Sequence, residues 1–260
     1  MAAIVCRPGE GETVFDDPER TLRILVDRDE LTLTWFRYAP GEEGPDPHIH
    51  RRHTDAFYVL QGELELGLGP GVAEVVRGTA GTLVAAPPEV VHTFRNASDG
   101  EAIFLNVHAP SMGFGDMLRA RRDGREEDAA RFDQFEPPSG GGRPVADGVV
   151  SGPEDGERFD RGNRVVTLKG DLPELSVNDI AFDPDFAVDP HRHDDHVDSF
   201  YVLGGEIEFT LEDRALRAAP GTWVSAPPGT LHGFRNPGPG RARVLNLHTP
   251  DAGFAASVRG

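Results

Sequence analysis

The stretch HIHRRHTDAFYVLQG at residues 48–62 returns as HRHDDHVDSFYVLGG at residues 191–205, an offset of 143. Further on, GTLVAAPPEVVHTFRN (81–96) returns as GTWVSAPPGTLHGFRN (221–236), and LNVHAPSMGF (105–114) as LNLHTPDAGF (245–254), both at an offset of 140. The change in offset is one shorter turn in the second copy, between Gly205 and Gly221. A register that slips only at a turn is the mark of a duplicated domain. The 10 histidines sharpen this, because all of them fall into register-matched pairs: His48/His191, His50/His193, His53/His196, His92/His232 and His108/His248. Residues serving only solubility or incidental packing would be scattered.

Within each copy the pattern is short apolar runs bounded by Gly, Pro or Asp. LTLTWFRY (31–38), AFYVLQGELEL (56–66), GTLVAAP (81–87) and IFLNVH (103–108) read as strands. Several such strands in about 100 residues point to an all-β sandwich or barrel that closes its own edges. The contents of 31 Gly and 22 Pro agree with many turns. Between the copies, DMLRARRDGREEDAARF (116–132) predicts a helix with Met117, Leu118, Ala129 and Phe132 on a thin apolar side, and EPPSGGGRP (136–144) reads as a breaker. The expected division is an N-terminal domain over 1–136 with its trailing helical segment, a linker at 137–144 and a C-terminal domain over 145–260.

A net charge of −18 argues against binding nucleic acid, which needs a basic footprint. No apolar run reaches the roughly 18–20 residues of a membrane span. The start, MAAIVCRPGE, shows neither the basic region nor the apolar stretch of a signal peptide, and Cys6 is the single cysteine. The expectation is therefore a cytoplasmic protein without an intrachain disulfide.

Side chains alternate across a strand, so His48 and His50 share a face, and Asp55 opens the next strand with Phe57 and Val59 on its inward side. His92 follows a Pro-Pro turn, placed to enter the same space. Three imidazoles and a carboxylate suit Fe, Mn, Ni, Cu or Zn rather than Ca or Mg. His53 leaves three readings open: it replaces Asp55 as a ligand, it acts as acid or base at the cavity mouth, or it is structural. For His108 and His248 a structural hydrogen bond at the strand end weighs at least as much as a place in the pocket. Arg95 and Arg235 read as outward-facing.

The arrangement resembles the two signature motifs of the cupin superfamily. Copy one supplies His48, His50, Asp55 and Gly62, then Gly81, Pro87, His92 and Asn96; copy two supplies His191, His193, Asp198 and Gly205, then Gly221, Pro227, Gly229, His232 and Asn236. The resemblance implies a bicupin, two tandem double-stranded β-helix (jelly-roll) domains, and the wording FYVLxGE with PPxxxHxFRN is closest to quercetin-dioxygenase-like cupins. It further implies up to one divalent transition metal per domain, held by His48, His50, Asp55 and His92 and by His191, His193, Asp198 and His232. Two departures stand out: Glu89 replaces a motif glycine, and both acidic positions hold Asp where Glu is usual. Asp is shorter by one methylene, which pulls its oxygen back unless the backbone moves.

Read this way, the chain is expected to be a metal-dependent oxidoreductase, a dioxygenase acting on a small aromatic, enolic or polyketide-like compound with dioxygen as co-substrate. His53 and His196 are its candidate acid/base residues. The alternatives are a metal-assisted isomerase, cyclase or lyase that uses no dioxygen, and a non-catalytic binding or storage bicupin. The linings differ between copies: Trp35, Phe36, Arg37 and Tyr38 stand where the second copy has Asp179, Ile180, Ala181 and Phe182, so the two are not expected to process one substrate equally, and activity in one barrel or in both stays open. A homo-oligomer is compatible with this family.

Overall fold

The computed structural model describes residues 2–145 and 149–260; residues 146–148, near the expected start of the second domain, lie outside the described residues. The chain forms two compact units, Gly11–Asp155 and Met1–Glu10 with Gly156–Gly260. This division differs from one at residues 137–144, because each unit takes in a strand from beyond its own repeat. Ile4–Cys6 pairs antiparallel with Trp223–Ala226, and Val149–Ser151 pairs antiparallel with Leu83–Ala86. Both additions cover what would otherwise be an open sheet edge.

In the N-terminal unit a seven-stranded antiparallel sheet runs Val149–Ser151, Leu83–Ala86, Thr54–Gln61, Ala102–Ala109, Thr32–Tyr38, Arg20–Asp27 and Glu12–Asp16. A second sheet holds His92–Arg95, Glu63–Leu68 and Glu74–Thr79. Phe36, Phe57, Leu64, Leu66, Phe94 and Phe104 fill one buried apolar cluster. The C-terminal unit repeats the plan. Its seven-stranded sheet centres on Val197–Gly204, Ala242–Thr249 and Leu175–Phe182, and a four-stranded sheet orders Ala187–His191, His232–Arg235, Ile207–Leu211 and Arg214–Ala218. This is the expected pair of jelly rolls.

The run 56–66 is two strands rather than one. Gly62 turns the chain at φ +75°, and a Cβ there would overlap the Glu101 carbonyl. The predicted helix is shorter than expected, spanning Phe114–Arg122. Gly124 at φ +65° ends it, with the Gly124 and Arg125 amides donating back to the carbonyls of Arg121 and Ala120. A 3-10 turn follows at Ala129–Phe132 and delivers Gln134–Phe135 to pair with Ile49–His50.

Glu89 adopts φ +71° where Gly229 adopts φ +79° in the second copy. A side chain in that region costs of order 1–2 kcal/mol. Its backbone bonds, Glu89 N–H to the His50 carbonyl and Arg143 N–H to the Glu89 carbonyl, do not depend on the side chain. Glu89→Gly should therefore stabilise the N-terminal unit by about 1 kcal/mol, read as a rise in its thermal transition. A decrease would show that the side chain contributes more than the strain costs.

Candidate metal centres

His48 and His92 face each other across an isolated antiparallel bridge, each amide donating to the other's carbonyl at 3.1 and 3.0 Å. Asp55 lies opposite His108 in the neighbouring ladder, which is why both reach the same side. The side chains of His48, His50, Asp55 and His92 each bring a ligand atom within 4.8 Å of the others. Three backbone carbonyls fix the imidazoles: the Nδ1 atoms of His48, His50 and His92 lie 2.9, 2.9 and 3.0 Å from the carbonyls of Asp46, Asp133 and Val90. A carbonyl can only accept, so each Nδ1 carries a proton and each Nε2 is the atom left to face an ion.

The shorter acid still reaches. Asp55 Oδ2 lies 3.2 Å from His92 Nε2 and 3.7 Å from His50 Nε2, while Asn106 Nδ2 donates to its Oδ1. His50 Nε2 is buried with no hydrogen-bond partner among the described residues. A buried nitrogen without a partner is costly unless something else satisfies it. Burial, together with His92 and His50, holds the His48 imidazole well below its ordinary range. Burial alone would raise Asp55, but His108, His50 and His92 hold its carboxyl well below the usual carboxylate range. Three imidazoles turned by their Nδ1 bonds around one carboxylate are the donor set a divalent transition metal takes. The residues fit such an ion.

The C-terminal unit repeats this geometry in a more open setting. His191 and His232 pair in register, and the ligand atoms of His191, His193, Asp198 and His232 again converge within 4.8 Å. Nδ1 of His191 and of His232 each donate to a carbonyl, of Asp189 and Thr230, at 2.9 Å. Asp198 Oδ2 lies 3.2 Å from His232 Nε2, and Asn246 donates to Oδ1 at 2.6 Å. The His193 side chain is 29% exposed against 3% for His50.

His53 stands behind the first cluster. Its Nδ1 donates to Asp133 Oδ2 and its Nε2 meets His108 Nδ1, both at 2.9 Å. His108 Nε2 continues to Asn106 Oδ1 at 3.1 Å, so a buried polar chain runs Asp133, His53, His108, Asn106, Asp55. Burial, opposed by Asp133, pushes the His53 imidazole down to about 4. His50, His53 and His108 also converge within 4.8 Å, but both ring nitrogens of His53 and of His108 are already engaged. His196 occupies the matching place, with Nδ1 2.7 Å from Asp195 Oδ1 and Nε2 buried without a partner among the described residues. Neither His53 nor His196 lines the cavity that leads to its own cluster, whereas His108, Asn106, His248 and Asn246 do. The LNxHxP motif thus sits closer to the site than its strand-end reading implied, and Asp133, outside the repeat, gave no motif at all. Arg95 and Arg235 face outward onto Glu65 and Glu208, at 2.7 and 2.6 Å.

A cavity of about 230 Å³ leads to the N-terminal cluster, past Phe36, Tyr38 and Phe94. One of about 620 Å³ leads to the C-terminal cluster, lined by Ile180, Phe182, Phe186, Phe200, Phe234 and Phe254. Among the described residues no helix is long and apolar enough to cross a membrane.

The family model of the cupin domain matches residues 34–108 and 179–248. No curated protein sequence matches the chain. Among solved structures, a Pseudomonas aeruginosa protein named for induction by glyoxylate superposes at TM-score 0.68 and 18% identity, covering 95% of this chain and 88% of its own. The oxalate decarboxylase of Lactobacillus farciminis, in a formate complex, gives 0.66 and 13%, with coverages of 95% and 86%. Protein Ylba of E. coli gives 0.68 and 12%, with coverages of 95% and 90%. At these identities the likeness is one of fold.

Proposed function

This chain belongs to the cupin family, with one cupin domain in each half, and from that premise we propose that it is a metal-dependent dioxygenase of small aromatic or enolic compounds, its turnover residing in the C-terminal unit. The observation that carries the reading is the convergent His191, His193, Asp198 and His232 set at the end of an aromatic-lined cavity of about 620 Å³. That volume is within the roughly 300–1,000 Å³ of small-molecule pockets, and the 230 Å³ of the other unit is below it.

The four named residues would hold the metal through three Nε2 atoms and Asp198 Oδ2, with His48, His50, Asp55 and His92 as the matching set. A bound divalent transition metal would supply Lewis-acid activation of a substrate oxygen and, if redox-active, one-electron chemistry with dioxygen. The protein's own contribution is placement. Phe182 and Phe186 stack at 4.8 Å and Phe234 lies 5.1 Å from Phe182, a surface on which a planar substrate lies flat and from which water is excluded. Asn246 and Thr230 fix Asp198 and His232, so neither ligand has to reorganise when substrate arrives. His196, which is not among the residues lining this cavity, acts from behind His248 (ring centroids 4.7 Å apart) rather than on the substrate.

Oxygen uptake by metal-loaded protein over a panel of enolic and catecholic compounds is the expected result. His193→Ala should lower that uptake by about 100-fold or more, since even the loss of a residue supporting a ligand costs roughly 10–100-fold. Full turnover under strict anaerobiosis with zinc would replace the dioxygenase reading by that of an isomerase, cyclase or lyase. Unaltered function in the His193→Ala variant would favour a binding protein.

A further inference from the structure

Arg20 and Arg164 are the same residue in the two copies. Arg20 lies opposite Tyr38 in its ladder and Arg164 opposite Phe182, and each lines the cavity of its own unit. Glu42 and Phe186 are likewise equivalent, because the Asn96 amide donates to the Glu42 carbonyl and the Asn236 amide to the Phe186 carbonyl, both at 2.9 Å. In the N-terminal unit Glu42 neutralises Arg20, with Oε1 3.0 Å from Nε. In the C-terminal unit the acid is gone. The Arg164 guanidinium lies over the Phe186 ring, 5.4 Å from its centroid, and forms no ion pair among the described residues. Arg161, also on the cavity wall, donates to the Val258 carbonyl and likewise has no carboxylate partner among the described residues.

Two unneutralised arginines at one cavity, against Arg121 alone at the other, stand out in a chain of net charge −18 where most arginines lie against Asp or Glu. We infer that the C-terminal cavity takes an apolar or aromatic carboxylate, its ring among Phe182, Phe186 and Phe234 and its anionic end held by Arg164 with Arg161. This rests on the reading above that this cavity is the substrate site. The planar guanidinium fork matches a carboxylate, and its place over the Phe186 ring leaves its donors free. A dianion such as a phosphate fits less well, since the surrounding negative field opposes the second charge. The Glu42-to-Phe186 exchange does two things together: it frees the cation and extends the apolar wall.

Titration calorimetry of the metal-loaded full chain with 3-phenylpropionate and its neutral counterpart 3-phenylpropan-1-ol tests this. Wild type should bind the acid roughly tenfold more tightly or better, the scale of a charge-assisted bond. Arg164→Gln should bring the two within about threefold by weakening the acid alone, with the melting curve unchanged because the side chain is exposed. Phe186→Glu, which restores the acid of the other copy, should do the same through a different residue. Equal binding of both compounds, or no binding of either by wild type, overturns the inference. So does an acid preference that survives Arg164→Gln, which would place the carboxylate on the metal, or one that depends on Arg20 instead. Absent oxygen uptake alongside an intact Arg164-dependent preference would remove the dioxygenase reading and leave this one standing.

Discussion

Asp55→Ala is expected to empty the N-terminal cluster of metal, and His53→Ala to leave it filled, when the purified protein is assayed by elemental analysis. The two residues lie two positions apart, His53 at the bend before the strand Thr54–Gln61 and Asp55 within it, and only geometry separates them. Asp55 presents Oδ2 to His92 and His50, while His53 spends Nδ1 on Asp133 and Nε2 on His108. Removing the sole carboxylate from beside three imidazoles should weaken binding by more than about 100-fold, beyond the roughly 10–100-fold typical of losing a supporting residue. The thermal signature follows by mass action. A metal present at 1,000 times its dissociation constant stabilises the unit by about 4 kcal/mol, and the variant forfeits most of that. Asp55→Asn guards against a trivial loss of fold, since it keeps the shape beside Asn106 and His108 while removing the charge. Asp198→Ala should behave alike in the other unit. Metal retained by Asp55→Ala and lost by His53→Ala would reassign the site to His50, His53 and His108.

The two jelly rolls and the convergence of both candidate quartets were legible because duplication prints each inward position twice. The alternation HxH places His48 with His50, and Asp55 with Phe57 and Val59, on faces that the ladders reproduce. What the sequence concealed were contacts that periodicity cannot encode. Ile4–Cys6 and Val149–Ser151 are brief edge strands whose partners are chosen by whichever sheet margin is open, not by their own pattern. The helix end at Arg122 was signalled by Gly124, which the apolar spacing of Ala129 and Phe132 outweighed. The Glu42/Phe186 exchange needed the exact cross-strand register, because the offset between copies shifts within that loop. Asp133 was the hardest to see: it has no counterpart in the repeat and sits in a segment rich in surface charge.

That unannounced aspartate is where the second large effect is expected, a loss of about 3–5 kcal/mol from the N-terminal unit in Asp133→Ala, the scale of breaking a buried charged network. Asp133 Oδ2 accepts from the amides of Arg51 and Arg52 at 3.0 and 2.8 Å and from His53 Nδ1 at 2.9 Å, and Oδ1 accepts from Arg52 Nε at 3.1 Å. The carboxylate is thus the cap that closes the turn between His50 and His53. Its own carbonyl orients the His50 ring. Alanine strands the buried His53 Nδ1 and the half-buried amides of Arg51 and Arg52, and also sits badly at φ +60°, a conformation Asp and Asn tolerate better than other side chains. The effects separate by substitution. Asp133→Gly removes the strain but not the stranded donors, and Asp133→Asn keeps the conformation and one acceptor, so the order of stability should be Asn above Gly above Ala. Denaturant unfolding should show the change in one transition, with the C-terminal unit's transition unmoved. Metal affinity of the N-terminal cluster should fall with it by roughly 10–100-fold, as the turn from His50 to His53 loosens and the Asp133 carbonyl no longer holds its place against the His50 ring. A variant Asp133→Ala within about 1 kcal/mol of wild type would mean that water replaces the carboxylate at no cost, and that the turn holding His50 and His53 is set by their own strands instead.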